Sequence, residues 1–166
     1  AYAAQVLGVK ALVVMPEDAS PYKKACARAY GAEVVDRGVT AENREEVARA
    51  LQEETGYALI HPFDDPLVIA GQGTAGLELL AQAGRMGVFP EAVLAPVGGG
   101  GLLAGLATAV KALSPTTLLL GVEPEVADDA RRSLEAGRLF RLEAPPRTRA
   151  DGVRTLSLGE HTFPIL

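Results

Sequence analysis

The sequence has one cysteine, Cys26, so no internal disulfide can form, and its place in a helical pattern reads as an ordinary packing residue, not redox chemistry. It has no basic surplus: 16 lysines and arginines stand against 21 aspartates and glutamates, which removes the electrostatic footprint that nucleic-acid binding requires. No apolar run approaches the roughly 18 residues of a membrane helix, and the first residues lack the basic, apolar, small-residue order of a secretory signal. The expectation from these absences is a soluble, cytoplasmic protein with neither nucleic acid nor membrane as partner. What is present is ample for folding. The 166 residues, 48% of them hydrophobic, suffice for one large domain or two small ones around a buried core.

Apolar runs of strand length alternate with stretches at helical period. The spacing predicts strands near 10–15, 32–36, 57–60, 92–97 and 117–123, and helices near 21–30, 41–55, 66–84, 101–113 and 126–136. Runs such as Ala11-Leu12-Val13-Val14-Met15 and Leu118-Leu119-Leu120 are continuously apolar, as parallel strands covered by helices on both faces are. The fold class is therefore α/β, with parallel sheets covered by helices. Ser20-Pro21 and Asp65-Pro66 each set an N-cap side chain before a proline at the first helical position, and Gly31 and Gly56 sit where helices should stop. A boundary near 62–66 divides the chain into a smaller α/β domain, 1–62, and a larger one, 63–166. The chain opens inside a helical pattern with nothing ahead of Ala1 to cap it, and from Pro145 onward no long periodic segment remains, so both domains read as partial.

Pro96-Val97-Gly98-Gly99-Gly100-Gly101-Leu102 follows a predicted strand and opens a predicted helix. Bare backbone N–H groups and the positive end of a helix can hold an anion there, and no Cβ blocks a phosphate. A turn that binds nothing is the plainer alternative, disfavoured because four consecutive glycines cost much backbone entropy. Gly99-Gly100-Gly101-Leu102-Leu103-Ala104 also fits the dinucleotide pattern G-x-G-x-x-A, with Glu123 at the end of the next strand as a ribose-binding acid. Walker-type nucleotide binding fits less well, because no lysine followed by serine or threonine comes after the glycines. On local spacing alone, a cofactor phosphate and a dinucleotide fit about equally.

Neighbouring segments separate them. The glycine run resembles the phosphate loop of fold-type II pyridoxal-phosphate enzymes, the threonine dehydratase and serine racemase group. His61-Pro62-Phe63-Asp64-Asp65-Pro66 with Ile69-Ala70-Gly71-Gln72-Gly73-Thr74 is similar to that group's interdomain segment, and Ala150-Asp151-Gly152-Val153 to a loop beside the cofactor ring. Phe63 is more like the dehydratases than the vertebrate-type racemases. The resemblance implies the two-domain, tryptophan synthase β-like architecture, in part, and pyridoxal 5'-phosphate held by Gly98, Gly99, Gly100, Gly101, Leu102 and Gly152. It further implies a small hydroxy amino acid as substrate: β-elimination of L-threonine or L-serine to a 2-oxo acid and ammonia by the intact protein, in a homo-oligomer, dimer or tetramer. Serine racemization is the near alternative, and a dinucleotide-dependent oxidoreductase the distant one. Lys10, Lys23, Lys24 and Lys111 match no part of the group's lysine motif and read as surface residues. The lysine that carries the cofactor would precede Ala1, so these residues alone are expected to be inactive, with no catalytic residue among them.

Glu123-Pro124 with Ala127-Asp128-Asp129 is similar to the group's cation site, which implies that Glu123, the Ala127 carbonyl and Asp129 hold Mg2+ or Ca2+. Read without the family, Asp128 and Asp129 are an acidic first helical turn that suits the helix dipole. Glu91 and Glu160 are candidates for a second, weaker cation site. His61, alone at a strand end, reads as a hydrogen-bonded structural residue and not as a base. Tyr30 coincides with a nucleotide-effector contact of the racemases, but reads first as an apolar residue at a helix end.

Overall fold

Local chemistry places most of the elements in the computed structural model, which describes residues 1–166 in two compact units, Ala1–Leu59 and Ile60–Leu166. The first unit contains α1 (Tyr2–Leu7), β1 (Leu12–Val14), α2 (Pro21–Ala29), β2 (Glu33–Val35) and α3 (Arg44–Thr55). The apolar runs at Leu12 and Val34 pair as a parallel two-stranded sheet in the register Leu12 to Glu33, Val13 to Val34 and Val14 to Val35. Between them α2 ends where Gly31, at φ 78°, takes the left-handed conformation that other residues resist. The Gly31 N–H then bonds Arg28 O at 2.9 Å and the Ala32 N–H bonds Ala27 O at 3.1 Å, which closes the helix and turns the chain into β2.

Four expectations need correction between residues 20 and 60. Lys24 is not a surface residue: it is 9% exposed, and its Nζ lies 2.8 Å from Asp36 Oδ2 while donating to Glu17 O at 2.8 Å. Burial of the ammonium is tolerated because both partners meet it. Ser20 occupies the N-cap position of α2 ahead of Pro21, but its hydroxyl makes no capping bond. Residues 41–43 form a turn ahead of regular α3, because Thr40 and Asn43 bond each other reciprocally, Thr40 N–H to Asn43 Oδ1 at 2.7 Å and Asn43 N–H to Thr40 Oγ1 at 3.2 Å. The run at 57–60 is not a strand. Its β propensity is real, but β1 and β2 pair only with each other, and Tyr57, Leu59 and Ile60 are exposed with no ladder to join.

The second unit contains α4 (Pro66–Arg85), β3 (Ala92–Pro96), α5 (Gly101–Leu113), β4 (Leu118–Val122) and α6 (Asp129–Ala136). Asp65 caps α4 as its sequence predicts, accepting from Leu67 N–H at 2.7 Å and Val68 N–H at 3.0 Å. β3 and β4 pair in parallel from Ala92 opposite Leu118 to Pro96 opposite Val122, with α5 as the crossover. The core gathers Ala95, Val97, Leu103, Leu106, Ala130 and Leu158. The predicted helix at 126–136 is a 3₁₀ turn, Glu125–Ala127, followed by α6. Where α4 and α5 cross, their backbones nearly touch: a Cβ on Gly105 would lie 2.5 Å from Gly73 N and closer still to Ile69 O.

One side chain joins distant parts of this unit. The Asp64 carboxylate accepts the N–H groups of Glu160 at 2.9 Å, His161 at 2.8 Å and Thr162 at 3.3 Å, and so ties the segment ahead of α4 to a turn 96 to 98 residues later. Burial works to raise its pKa, but the His161 and Glu160 N–H groups, the His161 side chain and the Thr162 N–H stabilise the charged form more. The carboxyl therefore titrates below its ordinary value.

Two outcomes follow for the full-length protein. Gly105→Ala should cost on the order of 2 kcal/mol in urea unfolding despite its better helix propensity, whereas Gly84→Ala, where a Cβ meets nothing within 4 Å, should be neutral or stabilising. A carboxyl whose folded pKa lies below its unfolded one stabilises the fold above the unfolded pKa, and that contribution disappears as pH falls through the folded value. Asp64→Asn should therefore lose on the order of 2 kcal/mol at neutral pH and flatten the decline in stability below about pH 4, both read from unfolding midpoints.

Candidate functional site

Strand β3 delivers the glycine run to the N-terminus of α5, with Gly100 as the N-cap at φ 91°. The glycines are needed for a reason that spacing alone does not reveal. A Cβ on Gly99 would overlap the Phe63 ring, one on Gly101 would lie 2.8 Å from Phe63 O, and one on Gly100 would lie 2.8 Å from Thr162 Oγ1. On Gly98 it would press on Val153 Cα at 3.2 Å, with Gly152 O at 3.5 Å. The side of the loop expected to stay open for an anion is thus not the side its Cβ atoms would occupy, since that side is filled by protein.

The loop's hydrogen bonds run through its carbonyls. Gly99 O accepts from Thr162 Oγ1 at 2.7 Å and from Gly159 N–H at 3.1 Å, and Gly100 O from Ala104 N–H at 2.8 Å. None of these bonds uses the N–H groups of Gly98, Gly99, Gly100, Gly101 or Leu102, although Gly99, Gly100 and Gly101 are buried. Buried donors of this kind require an acceptor, and successive backbone N–H groups at a helix N-terminus suit an anion. Thr155 Oγ1 adds another: it is buried without a hydrogen-bond partner, 3.3 Å from where a Cβ on Gly98 would stand. The donor set fits a phosphate. The structure also brings Gly152 beside Gly98, although these residues are far apart in the chain.

The acidic group lies at the start of α6. Glu123 Oε2 accepts from Ala130 N–H at 3.2 Å and its Oε1 from Arg131 N–H at 2.9 Å, so this carboxylate covers the front of α6 and not a ribose hydroxyl. The two aspartates differ. Asp128 pairs with Arg131 and Arg132, 2.5 and 2.9 Å away, as a helix-start acid can. Asp129 is 2% exposed, and its Oδ2 has no hydrogen-bond partner. Burial first, and then the negative charges of Glu123 and Asp128, push its pKa up to about 7 against an opposing backbone N–H. Ala127, equally buried, lies between them in the 3₁₀ turn. No three His, Cys, Asp or Glu side chains form a metal-binding cluster, so a cation here would rely on two carboxylates and a carbonyl.

Other candidates are placed elsewhere. Glu91 adjoins the start of β3 while Glu160 lies past its far end, near Gly99, so the two are not brought together and the second cation site is not formed. His61 Nδ1 accepts from Phe63 N–H at 3.3 Å and Asp64 N–H at 2.8 Å, and its ring packs edge-on to Phe63. It shapes the segment that covers the glycines, the structural role expected of it. Tyr30 ends α2 in the first unit and packs edge-on to Tyr2 at 5.4 Å. Asp64 and Thr162 went unrecognised as site residues. Asp64 stands in the segment that resembles the group's interdomain segment, which is the signal in the sequence that pointed toward it.

The whole chain, residues 1–166, matches the family described as pyridoxal-phosphate dependent enzyme. It is 45% identical over 166 residues to an L-threo-3-hydroxyaspartate ammonia-lyase of Saccharomyces cerevisiae, covering 100% of this chain and 49% of that one. It is 44% identical over 165 residues to a serine racemase of Homo sapiens, covering 99% and 47%. A crystal structure of a threonine deaminase from T.th. superposes with a TM-score of 0.94 at 94% identity, over 99% of this chain and 53% of that one. The chain thus spans about half the length of these relatives. Its donor loop, its parallel α/β architecture and the match along its full length agree: this chain belongs to the pyridoxal-phosphate dependent enzymes, in their fold-type II group.

Proposed function

We propose that this chain supplies the phosphate-holding part of an ammonia-lyase that converts L-threonine or L-serine to a 2-oxo acid and ammonia. The observation that carries the reading is the run of N–H groups from Gly98 to Leu102 at the start of α5, with no acceptor of their own, three of them on the buried residues Gly99, Gly100 and Gly101. Pyridoxal phosphate, when bound, supplies an electron sink for the substrate's α-carbon. The residues seen here act on the phosphate end: Gly98, Gly99, Gly100, Gly101 and Leu102 would donate main-chain N–H groups to it, and Gly152, next to Gly98, would border the ring. Holding the phosphate fixes the cofactor's place and keeps water from competing for those donors. The threonine deaminase that is 94% identical over this chain supports dehydration over racemization, as does the likeness of Phe63 to the dehydratases.

The division at 62/63 into a smaller domain and a larger phosphate-binding one belongs to the same proposal, as do cytoplasmic location and a homo-oligomeric dimer or tetramer. Glu123, the Ala127 carbonyl and Asp129 are proposed to bind Mg2+ or Ca2+. The support is Asp129 itself: a buried carboxyl with an unpartnered oxygen and a second carboxylate nearby gains most from a hard cation. The role is structural, away from the reacting atoms.

In the full-length protein, Gly100→Val should abolish the cofactor's visible absorbance; retained absorbance with normal turnover would overturn the loop assignment. Chelation with EDTA should lower the melting temperature by about 2–6 °C, and Asp129→Asn should remove that response. An unchanged midpoint on chelation would count against the cation site.

A further inference from the structure

Thr162 is buried completely, at 0% exposure, yet it carries a hydroxyl where a valine would fill the same space. That hydroxyl sits at the centre of a small network. It donates to Gly99 O at 2.7 Å and accepts from Gly159 N–H at 2.9 Å, while the Gly159 N–H also reaches Gly99 O at 3.1 Å. Two donors thus converge on one glycine carbonyl. The turn that presents them is held from behind by Asp64, which accepts three of its N–H groups, and Gly159 approaches that carboxylate so closely that a Cβ would overlap Asp64 Oδ1.

The consequence lies one atom further on. In a trans peptide unit the C=O and the next N–H point in opposite directions, and the chain has no cis peptide. Fixing Gly99 O toward Thr162 therefore fixes the Gly100 N–H on the opposite side, away from the protein packed against the glycines. Without that restraint, two adjacent glycines could rotate their shared peptide at little steric cost, since neither has a Cβ to resist it. A flipped peptide would replace a donor in the loop by a carbonyl oxygen and repel an anion.

We propose that Thr162 is a positioning residue for the cofactor phosphate: with Gly159, and in a turn held by Asp64, its hydroxyl locks the Gly99–Gly100 peptide so that the Gly100 N–H faces the phosphate. Thr162 does not touch the phosphate. This rests on the assignment of residues 98–102 to pyridoxal phosphate and adds what keeps them in a binding geometry. A packing role would be served equally by valine. A locking role is specific to a hydroxyl and is felt only by ligands that carry a phosphate.

The test uses the full-length protein freed of cofactor and titrated by absorbance with pyridoxal phosphate and, separately, with pyridoxal, which has the ring and aldehyde but no phosphate. Thr162→Val should weaken pyridoxal phosphate about tenfold or more while pyridoxal stays within about twofold of wild type, and Thr162→Ser should restore binding to within about threefold. The phosphorus-31 resonance of the bound cofactor should shift in Thr162→Val and return in Thr162→Ser. Unchanged pyridoxal phosphate affinity in Thr162→Val, or equal weakening of both ligands, would overturn the proposal. If Thr162→Val does not fold, Asp64→Asn gives the same comparison: selective loss of the phosphorylated ligand supports the lock, and no loss or an unselective loss overturns it. Failure of the wild-type protein to bind pyridoxal phosphate would instead overturn the loop assignment beneath it.

Discussion

The Asp64 carboxylate holds together segments that the chain itself keeps apart. It receives the N–H groups of residues 160, 161 and 162, and through that turn it brings Gly159, Leu158 and Thr162 against the glycine loop. Phe63, its neighbour, is thereby laid over Gly99 and Gly101. An ionised, mostly buried carboxylate is costly unless its oxygens are met by donors. Here three backbone donors meet it, and those bonds also satisfy the N–H groups of a turn that has no regular secondary structure to do so. The same bonds that compensate the charge therefore order the turn.

The loop and its surroundings divide the work between two faces. On one, the missing Cβ atoms of Gly99, Gly100 and Gly101 admit Phe63, Leu158 and Thr162 to contact distances that a side chain would forbid, and Gly98 sits tightly against Val153. On the other, backbone N–H groups are left for a ligand. Close packing on the first face is what makes donors on the second available in a fixed array. Glycine is thus required less for flexibility than for its lack of volume. The α6 region shows a related economy: Glu123 caps the helix, Asp128 pairs with arginines, and only Asp129 is left buried with an unmet oxygen. Three neighbouring acids have three different electrostatic fates.

Much of the scaffold was legible from residue order. The alternation of apolar runs with helical periods located both parallel pairs and the helices between them, because those patterns follow from local geometry and from burial on both strand faces. Asp65-Pro66 marked the start of α4 for a reason contained within three residues, a side chain reaching the next N–H groups. The run at 57–60 shows the limit of such reasoning, since a strand exists only if another strand pairs with it, and Ser20 shows that an N-cap residue in position need not make its bond. Lys24 makes the same point for charge: composition favours exposure, but Asp36 and the Glu17 carbonyl are positioned to receive it.

The sequence by itself determined the α/β class, the glycine loop between a strand and a helix, and the resemblance that pointed to pyridoxal phosphate, because each of these is written in contiguous residues. It also named Glu123, Ala127 and Asp129, which lie within seven positions of one another. Only the tertiary structure decided which way the glycines face, which of the acids is left without a partner, and that Thr162 and the turn held by Asp64 are brought to the glycine loop. The physical reason is distance along the chain: Thr162 reaches Gly99 across 63 residues and Asp64 reaches His161 across 97, and no local propensity encodes a hydrogen bond of that span.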